Sequence, residues 1–247
     1  MTSPARLGDV LYASRRDALV PESEWLELLR SVAAGSQTAL HALQSRMQRI
    51  VFTLAMRITS RRELAEDATV DTFHDVWRRA HAYDADGGTV IAWIMRLARG
   101  HALDRLRAAQ AGGAEKHDAA RPTIAARLAA RIAEEARGVA IPPSVRPWSE
   151  PPWDEVAPGI SCKLLASDAE RHRVSMLVRL APRGEYPAHT HAGTEELHLL
   201  EGELWIDERK LHPGDYNRAQ APTGDKRVWS ETGCTCVLVT STLDVLQ

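Results

Sequence analysis

Three side chains in the C-terminal half have the types and the spacing of metal ligands: His189, His191 and Glu195. Because successive strand residues face opposite ways, two histidines two positions apart project their imidazoles from the same side of a strand. Glu195 follows a turn, which brings its carboxylate to that side. Two imidazoles and one carboxylate suit zinc, iron(II), manganese or nickel, with no softness preference for one of them. The spacing therefore predicts one divalent metal ion.

The cysteines, Cys162, Cys234 and Cys236, offer a second candidate chemistry. Their number is odd, and they form no Cys-x-x-Cys pair of the zinc-knuckle type. All three lie in or beside strand-like segments, which favours buried thiols that act as small apolar groups. Redox sensing by Cys234 and Cys236 is the alternative, although this spacing within one strand seldom reaches disulfide geometry.

The sequence around the candidate ligands has the period of strands. Apolar residues alternate with other residues over 174–180 and over 203–207, and residues 237–240 form a closing apolar run. Turn-forming residues separate these runs at 182–184, 202, 213–215 and 223–225. Short strands at this spacing are typical of an all-β barrel or jelly roll. We therefore expect a β domain over residues 150–247.

Apolar residues recur at helical spacing in the N-terminal half, which predicts an all-α bundle over residues 1–110. The breaks between helices fall at 35–36 and 84–88. The four apolar stripes are Trp25, Leu28, Leu29 and Val32; Leu40, Leu43, Met47, Ile50, Val51, Leu54 and Ile58; Leu64, Ala68, Phe73, Val76 and Trp77; and Ile91, Ile94, Leu97, Ala98, Ala102 and Leu106.

Residues 111–149 read as a linker that carries one helix, over 122–137, followed by a proline-rich end over 142–152. The helix has a thin apolar stripe, Ile124, Leu128 and Ile132. Because a stripe this narrow does not stabilise an isolated helix, we expect the helix to dock on one of the two domains. Release of this helix in a second state would couple the two halves of the chain, whereas permanent packing beside the barrel would not.

Charge separates the two halves further. Residues 1–110 contain 15 arginines and 13 acidic residues, a net +2, whereas residues 150–247 contain 10 basic and 16 acidic residues, a net −6. Residues 87–110 have a local charge of +3 that suits phosphates, from Arg96, Arg99, Arg105 and Arg107 against Asp104. No run is long and apolar enough for a membrane span, and the first 20 residues lack a signal peptide pattern. The expected compartment is the cytoplasm.

The N-terminal half resembles region 2 of the extracytoplasmic-function (ECF) sigma factors over about residues 25–110. The segments that carry the resemblance are AEDATVDTFHDVWRRAHAYD, from residue 65, and AWIMRLARGHALDRLR, from residue 92. The resemblance implies that the helix over 65–77 docks on core RNA polymerase and that residues 84–107 face the −10 promoter element.

Individual contacts follow from that resemblance. Toward polymerase we expect Asp67, Asp71 and Asp75, exposed four apart on one helix face, with Phe73 and Trp77. Toward DNA we expect Arg96, Arg99, Arg105 and Arg107, with Trp93 either stacking on bases or filling the core.

Two features depart from the family pattern. Gly100 stands where the family usually has a polar residue, and residues 110–152 lack the helix-turn-helix that reads the −35 element. One small module with few phosphate contacts should bind promoter DNA poorly unless polymerase holds it there.

The C-terminal half resembles a cupin, in particular the ChrR-type cupin of zinc-dependent anti-sigma factors. His189, His191, Glu195 and Gly202 fit the cupin spacing G-x5-H-x-H-x3–4-E-x6-G, although Arg183 stands at its first glycine. The resemblance implies a jelly-roll barrel, a divalent metal, with zinc the first candidate, and contact between two barrels as a route to a homodimer.

The fourth ligand stays open on the sequence. The second cupin motif, P-x-G-x-x-H, places Arg227 where a histidine is usual, and an inward-pointing arginine would disfavour a cation. Counting without a gap from Gly214, as the resemblance to the anti-sigma cupins implies, places Asp225 there instead, and a carboxylate can bind zinc. A site with three protein ligands is the remaining alternative.

The combined expectation is a non-enzymatic transcription regulator with a polymerase-binding half and a metal-binding sensor half. The first alternative is a metal-dependent cupin enzyme of the dioxygenase or isomerase type, for which Glu196 and Tyr216 are the nearby acid–base candidates. The second alternative is a decoy that holds polymerase or another sigma factor without starting transcription.

Overall fold

A computed structural model describes residues 5–12, 20–112, 122–135 and 149–247 of the 247-residue chain. Two compact units divide it: residues 24–148 form one, and residues 1–23 together with 149–247 form the other. The predicted combination of a helical domain and a β domain is confirmed. The predicted boundary is wrong at one place, because the described residues among 1–23 group with the β unit and not with the helices.

The helices lie mainly in the first of these units. In chain order they are α1 (Leu7–Tyr12), α2 (Glu22–Ala33), α3 (Gln37–Thr59), α4 (Arg62–Arg79), α5 (Val90–Gly112) and α6 (Ile124–Glu135), with 3₁₀ turns at Ala80–Ala82 and Ala85–Gly87. Among the described residues, no helix combines the length and the apolar character needed to cross a membrane.

The predicted stripes form the core of the helical unit. Met47 and Leu54 of α3, Phe73 of α4 and Ile94 of α5 are fully buried. Helix α3 begins where the Ser36 hydroxyl accepts the Ala39 amide at 3.2 Å, which satisfies one of the free donors at a helix start. The rigid frame is therefore the bundle of α3, α4 and α5, which pack on one another.

Helix α6 packs against α4 within the same unit. It buries two members of the predicted stripe, Leu128 at 2% and Ile132 at 4% exposure, whereas Ile124 is half-buried. The proline-rich end expected at 142–148 lies outside the described residues.

The β unit is a barrel of antiparallel strands in three sheets, ordered β1-β2-β3-β12-β6-β9, β10-β5-β13 and β4-β11-β7-β8. The strands are β1 (Asp154–Ala157), β2 (Ile160–Asp168), β3 (Arg173–Leu180), β4 (Glu185–Tyr186), β5 (His189–Thr190), β6 (Glu195–Gly202), β7 (Leu204–Ile206), β8 (Arg209–Leu211), β9 (Tyr216–Ala219), β10 (Gly224–Asp225), β11 (Val228–Trp229), β12 (Cys234–Ser241) and β13 (Val245–Leu246).

Alternate residues of these strands fill the barrel interior, as the period of two predicts. Val178, Leu197 and Leu238, from three neighbouring strands, belong to one buried cluster. At the end of β6 the chain turns sharply at Gly202, whose φ is 75°. A Cβ atom there would lie 1.9 Å from the Gly233 carbonyl oxygen, so only glycine fits the position.

The N-terminal segment, residues 5–12 with α1, completes the barrel. Leu7 and Leu11 of α1 belong to the barrel's buried cluster. The Leu7 amide donates to the Asp244 carbonyl and the Leu246 amide donates to the Ala5 carbonyl, both at 2.9 Å. The barrel is thus assembled from both ends of the sequence, and the helical unit is an insertion between them.

Candidate metal centre and acidic helix face

Three short elements bring the candidate ligands together. Strand β5 carries His189, the turn after it carries His191, and β6 begins at Glu195. Strand β10 pairs with β5 so that Asp225 lies opposite His189. One ligand atom from each of the four residues lies within 4.8 Å of the others. Asp225 is therefore the fourth member of the cluster.

The four groups converge without bonding to one another. His189 Nε2 is 3.9 Å from both Glu195 Oε2 and Asp225 Oδ2, and His191 Nε2 is 3.6 Å from Glu195 Oε1 and 3.8 Å from Asp225 Oδ2. These separations exceed hydrogen-bond distances. Three of the residues are at most 5% exposed and Asp225 is half-buried, so water contributes little to solvating them.

Outer hydrogen bonds fix which nitrogen of each histidine faces the cluster. His189 Nδ1 lies 3.1 Å from the Pro187 carbonyl oxygen, which can only accept. His191 Nδ1 lies 3.0 Å from Thr223 Oγ1, whose own hydrogen goes to the Gln220 carbonyl at 2.7 Å. Both Nδ1 atoms therefore donate, and both Nε2 lone pairs point inward, as metal-binding histidines require.

A divalent cation fits these residues. His191 Nε2 and Asp225 Oδ2 are buried without a hydrogen-bond partner, an arrangement that costs free energy unless something binds there. Burial, and then the charge of Glu195, raises the pKa of Asp225. The Glu195 carboxylate likewise raises the pKa of His191. A cation would relieve both the unpaired atoms and the crowded negative charge.

Arg227 does not point into the barrel, so that alternative for the second motif is wrong. Its guanidinium lies over the ring of Trp229, 4.9 Å from the centroid, and pairs with Glu185 at 3.3 Å. The Arg227 side chain is 56% exposed. The positive charge of Arg227 therefore lies outside the barrel, where it does not repel a metal ion bound at the cluster.

A small apolar cavity adjoins the cluster inside the barrel. Its volume is about 30 Å³, and His189, Glu195 and Asp225 line it together with aliphatic residues, Cys236 and Tyr186. The Tyr186 ring packs edge-on against His189 with centroids 5.2 Å apart, and burial raises its pKa. Tyr186 was not predicted, because a two-residue strand is too short to show a period of two.

The acid–base candidates for an enzyme lie elsewhere. Glu196 follows Glu195 on β6 and so faces the opposite side of the strand. The Tyr216 hydroxyl donates to Glu196 Oε1 at 2.7 Å, which uses both groups in one structural hydrogen bond.

All three cysteines are free and buried. Burial raises the pKa of Cys162 to about 12 and that of Cys234 to about 11, and it raises the pKa of Cys236 well above its ordinary value. Because the thiolate is the reactive form, these groups are chemically quiet at neutral pH. The structure favours the apolar role over redox sensing.

In the helical unit, α4 carries an acidic face formed by Asp67, Asp71 and Asp75. These aspartates share a face as predicted, but the prediction that they are exposed is wrong: their side chains are 15%, 14% and 23% exposed. Each is paired within the unit. Asp67 pairs with Arg127, Asp71 with Arg105 and Arg131, and Asp75 with Arg79 and His101.

The two aromatic residues expected to contact polymerase differ in position. Phe73 is fully buried in the bundle core, so in this structure it supports α4 from inside and does not lie on the surface. Trp77 is half-buried near the C-terminal end of α4.

The residues expected to face DNA do not form one surface. Trp93, Arg96 and Arg107 lie toward one side of α5, whereas Arg105 lies opposite and bonds Asp71 at 2.6 Å. Arg96 donates to the Gly87 carbonyl at 3.3 Å, and Arg107 pairs with Asp104 at 2.9 Å.

Trp93 and Arg99 are only partly accessible on the surface of α5. Trp93 is half-buried, with its ring edge-on to Tyr83 at 5.6 Å. Arg99 is also half-buried.

Comparison with known families assigns each half to a class of domain. Residues 43–112 match the sigma-70 region 2 family, and residues 144–244 match the ChrR cupin-like domain family. Each half of the chain is thus similar to one of these two domain families.

The similar curated proteins match the helical half. The ECF RNA polymerase sigma factor SigK of Mycobacterium tuberculosis is 32% identical over 112 residues, which are 45% of this chain and 52% of that protein. SigK of Mycobacterium ulcerans is 35% identical over 85 residues, 34% of this chain and 46% of that protein. The chain spans about half the length of the curated relatives it matches.

Solved structures resemble the barrel over about a third of this chain. An RmlC-like cupin protein from Ralstonia eutropha is 21% identical, with 37% of this chain and 63% of that chain covered and a TM-score of 0.35. A putative acetylacetone dioxygenase from Methylibium petroleiphilum is 16% identical, with 37% and 71% covered and a TM-score of 0.35.

Proposed function

We propose that this protein is a cytoplasmic, non-enzymatic transcription regulator of the ECF sigma type. Its helical unit binds core RNA polymerase and presents α5 to the −10 promoter element, and its barrel holds a divalent metal as part of a sensor. The observation that carries the proposal is the match of residues 43–112 to sigma-70 region 2.

The polymerase-binding role belongs to α4 and the DNA-facing role to α5. The surface with Trp93, Arg96 and Arg107 offers few phosphate contacts, and affinity for DNA scales with their number. This supports binding to promoter DNA only as part of a polymerase complex.

Binding of the full chain to core RNA polymerase tests this role. We expect a complex that weakens as salt rises, because charged groups on α4 contribute to it. Asp75→Asn, which leaves the partners of Asp67 and Asp71 in place, should weaken binding several-fold, whereas Asp104→Asn at an exposed position of α5 should not. Absence of binding at low salt would favour the enzyme or the decoy alternative.

The metal proposed for the barrel is zinc, held by His189, His191, Glu195 and Asp225. Zinc accepts nitrogen and carboxylate oxygen ligands and is commonly four-coordinate. When bound, the metal would join the chain segments of β5, β6 and β10 that carry these side chains. Iron, manganese and nickel accept the same donors.

Elemental analysis of the purified full chain tests the metal site. We expect about one equivalent per chain in the wild type and none in the His189→Ala/His191→Ala variant, since two carboxylates cannot compete with water. Asp225→Asn should lower the affinity at least tenfold. His212→Ala, at an exposed position outside the cluster, is the control and should keep its metal. Full occupancy in the double variant would contradict the site.

The preference for a regulator over an enzyme rests on the match to sigma-70 region 2 and on the position of the two acid–base candidates. Glu196 and Tyr216 hydrogen-bond each other and are not among the described residues that line the cavity beside the cluster. A homodimer through the barrel stays a prediction, which the solution mass of the protein would test.

A further inference from the structure

Helix α6 lies on the same acidic face that the proposed function assigns to polymerase. Arg127 and Arg131, four residues apart on α6, pair with Asp67 and Asp71, four residues apart on α4. The second of these contacts is 2.5 Å long. A spacing of four residues places both arginines on one face of α6 and both aspartates on one face of α4, so the two ion pairs can form side by side.

Apolar packing accompanies the ion pairs. Leu128, next to Arg127, is 2% exposed, and Ile132, next to Arg131, is 4% exposed. The acidic face therefore fits a particular kind of partner: a helix with two arginines four positions apart and an apolar residue beside each of them.

With α6 in place, a second protein cannot reach Asp67 or Asp71. Their side chains are 15% and 14% exposed; Asp67 accepts from Arg127 of α6, and Asp71 accepts from Arg131 of α6 and from Arg105 of α5. Asp75 differs, since its partners Arg79 and His101 come from α4 and α5. The cover thus extends over two of the three aspartates.

We propose that α6 is an intramolecular cover of the polymerase-docking face, which polymerase must displace in order to bind. The proposal rests on the proposed function of α4. The cover is built to be removable, because a 12-residue helix is marginally stable in water and unfolds once it leaves its support. The α3–α4–α5 bundle keeps its own core when α6 leaves, since that core is formed by residues such as Phe73 and Ile94.

The test compares core polymerase affinities of three full-length proteins: the wild type, Arg127→Ala/Arg131→Ala, and Arg209→Ala/Arg218→Ala. The last pair removes the same charge from exposed positions of the barrel. We expect the α6 variant to bind at least tenfold more tightly than the wild type and the control to bind like the wild type. Hydrogen exchange of residues 124–135 is measured in parallel, and it should show loss of protection when polymerase binds the wild type.

Two results would overturn the proposal, and they differ in what they leave standing. If all three proteins bind polymerase equally and α6 stays protected in the complex, the cover is refuted and the proposed function survives. If the α6 variant has lost protection over residues 124–135 and still does not bind polymerase, the proposed function is refuted together with the cover. Circular dichroism checks that the bundle remains helical in each variant.

Discussion

Aspartate at position 225 decides the character of the metal cluster. A histidine there would give a neutral third imidazole, whereas Asp225 adds a second carboxylate beside Glu195. The consequence is visible in the raised pKa of Asp225, which results from burial and from the neighbouring negative charge. A site with this balance favours a doubly charged cation and disfavours anions.

The buried thiols give a prediction on pH. Cys162 and Cys234, with pKa values raised to about 12 and about 11, have little thiolate at pH 8, about one part in a thousand for Cys234. Iodoacetamide should therefore label the native chain very slowly at pH 8 and the urea-unfolded chain quickly, as mass spectrometry can measure. Rapid labelling of the native chain would restore redox sensing as a function.

The same pKa shifts determine how the stability of the folded chain changes with pH. The folded-state pKa lies above the ordinary value of 9.0, so the protonated thiols favour folding below that pH. Their contribution is lost as pH rises from about 9 toward 11 and 12.

Spacing alone predicted three of the four cluster residues. His189, His191 and Glu195 lie close together in sequence, so their spacing was enough to group them, although His189 lies in β5, His191 in the turn after it and Glu195 at the start of β6. Asp225 was a candidate only through the resemblance to the anti-sigma cupins, because it reaches the other three through the long-range pairing of β10 with β5. The arginines that cover Asp67 and Asp71 lie 60 residues away, so the predicted exposure could not be corrected from the sequence.

At the scale of elements, the docking surface of α6 is determined by its charged residues and not by its thin apolar stripe. Its stripe of Leu128 and Ile132 predicted docking but did not select the surface. The charges select it, because Arg127 and Arg131 match the acidic face of α4 in spacing.

Loss of one apolar side chain should release α6. Leu128→Ala removes a buried side chain, at a cost of about 2–5 kcal/mol, which is large for the attachment of one short helix. We expect hydrogen exchange over residues 124–135 to lose protection while α3, α4 and α5 keep theirs. Ala130→Ser, at an exposed position of α6, should cost only about 0.5 kcal/mol and leave the helix docked. Undiminished protection in Leu128→Ala would mean that the ion pairs alone hold α6.

The long helices could be predicted from the sequence, whereas the shortest helix and strands could not. Helices α3 and α5 each span 23 residues, which is enough turns for a stripe to stand out. Helix α1 has six residues, of which Leu7 and Leu11 are buried, and β4 has two residues. Both became visible only through the partners they pack on.

At the scale of the whole molecule, the barrel is discontinuous in sequence. Leu7 and Leu11 fill its core although more than 140 residues separate them from the first strand, β1 at Asp154–Ala157. A chain that ends at residue 115 would therefore expose two leucines that belong inside the barrel, and a chain that begins at residue 150 would lack them.

Substitutions in α1 should destabilise the barrel, which is distant from α1 in sequence, and spare the helices that follow α1 in the chain. Leu7→Ala/Leu11→Ala removes two buried side chains at about 2–5 kcal/mol each. Hydrogen exchange should accelerate in β2, β3 and β12 and stay unchanged in α3 and α5. Val10→Ala, at a half-buried position of α1, is the control and should cost about 1 kcal/mol or less. If hydrogen exchange accelerates in α3 and α5 instead, residues 5–12 stabilise the helical unit and not the barrel.

The pairing of Arg6 with Val245 also sets an order of events during synthesis. These residues are 239 positions apart (245 − 6), so at roughly 5–20 residues per second the ribosome needs about 12–48 s to supply the second after the first. The α3–α5 bundle is complete at residue 112 and can fold in that interval. The barrel must wait for its last strand. Each nascent chain therefore passes through a period in which its sigma-like half can fold while its barrel is still incomplete.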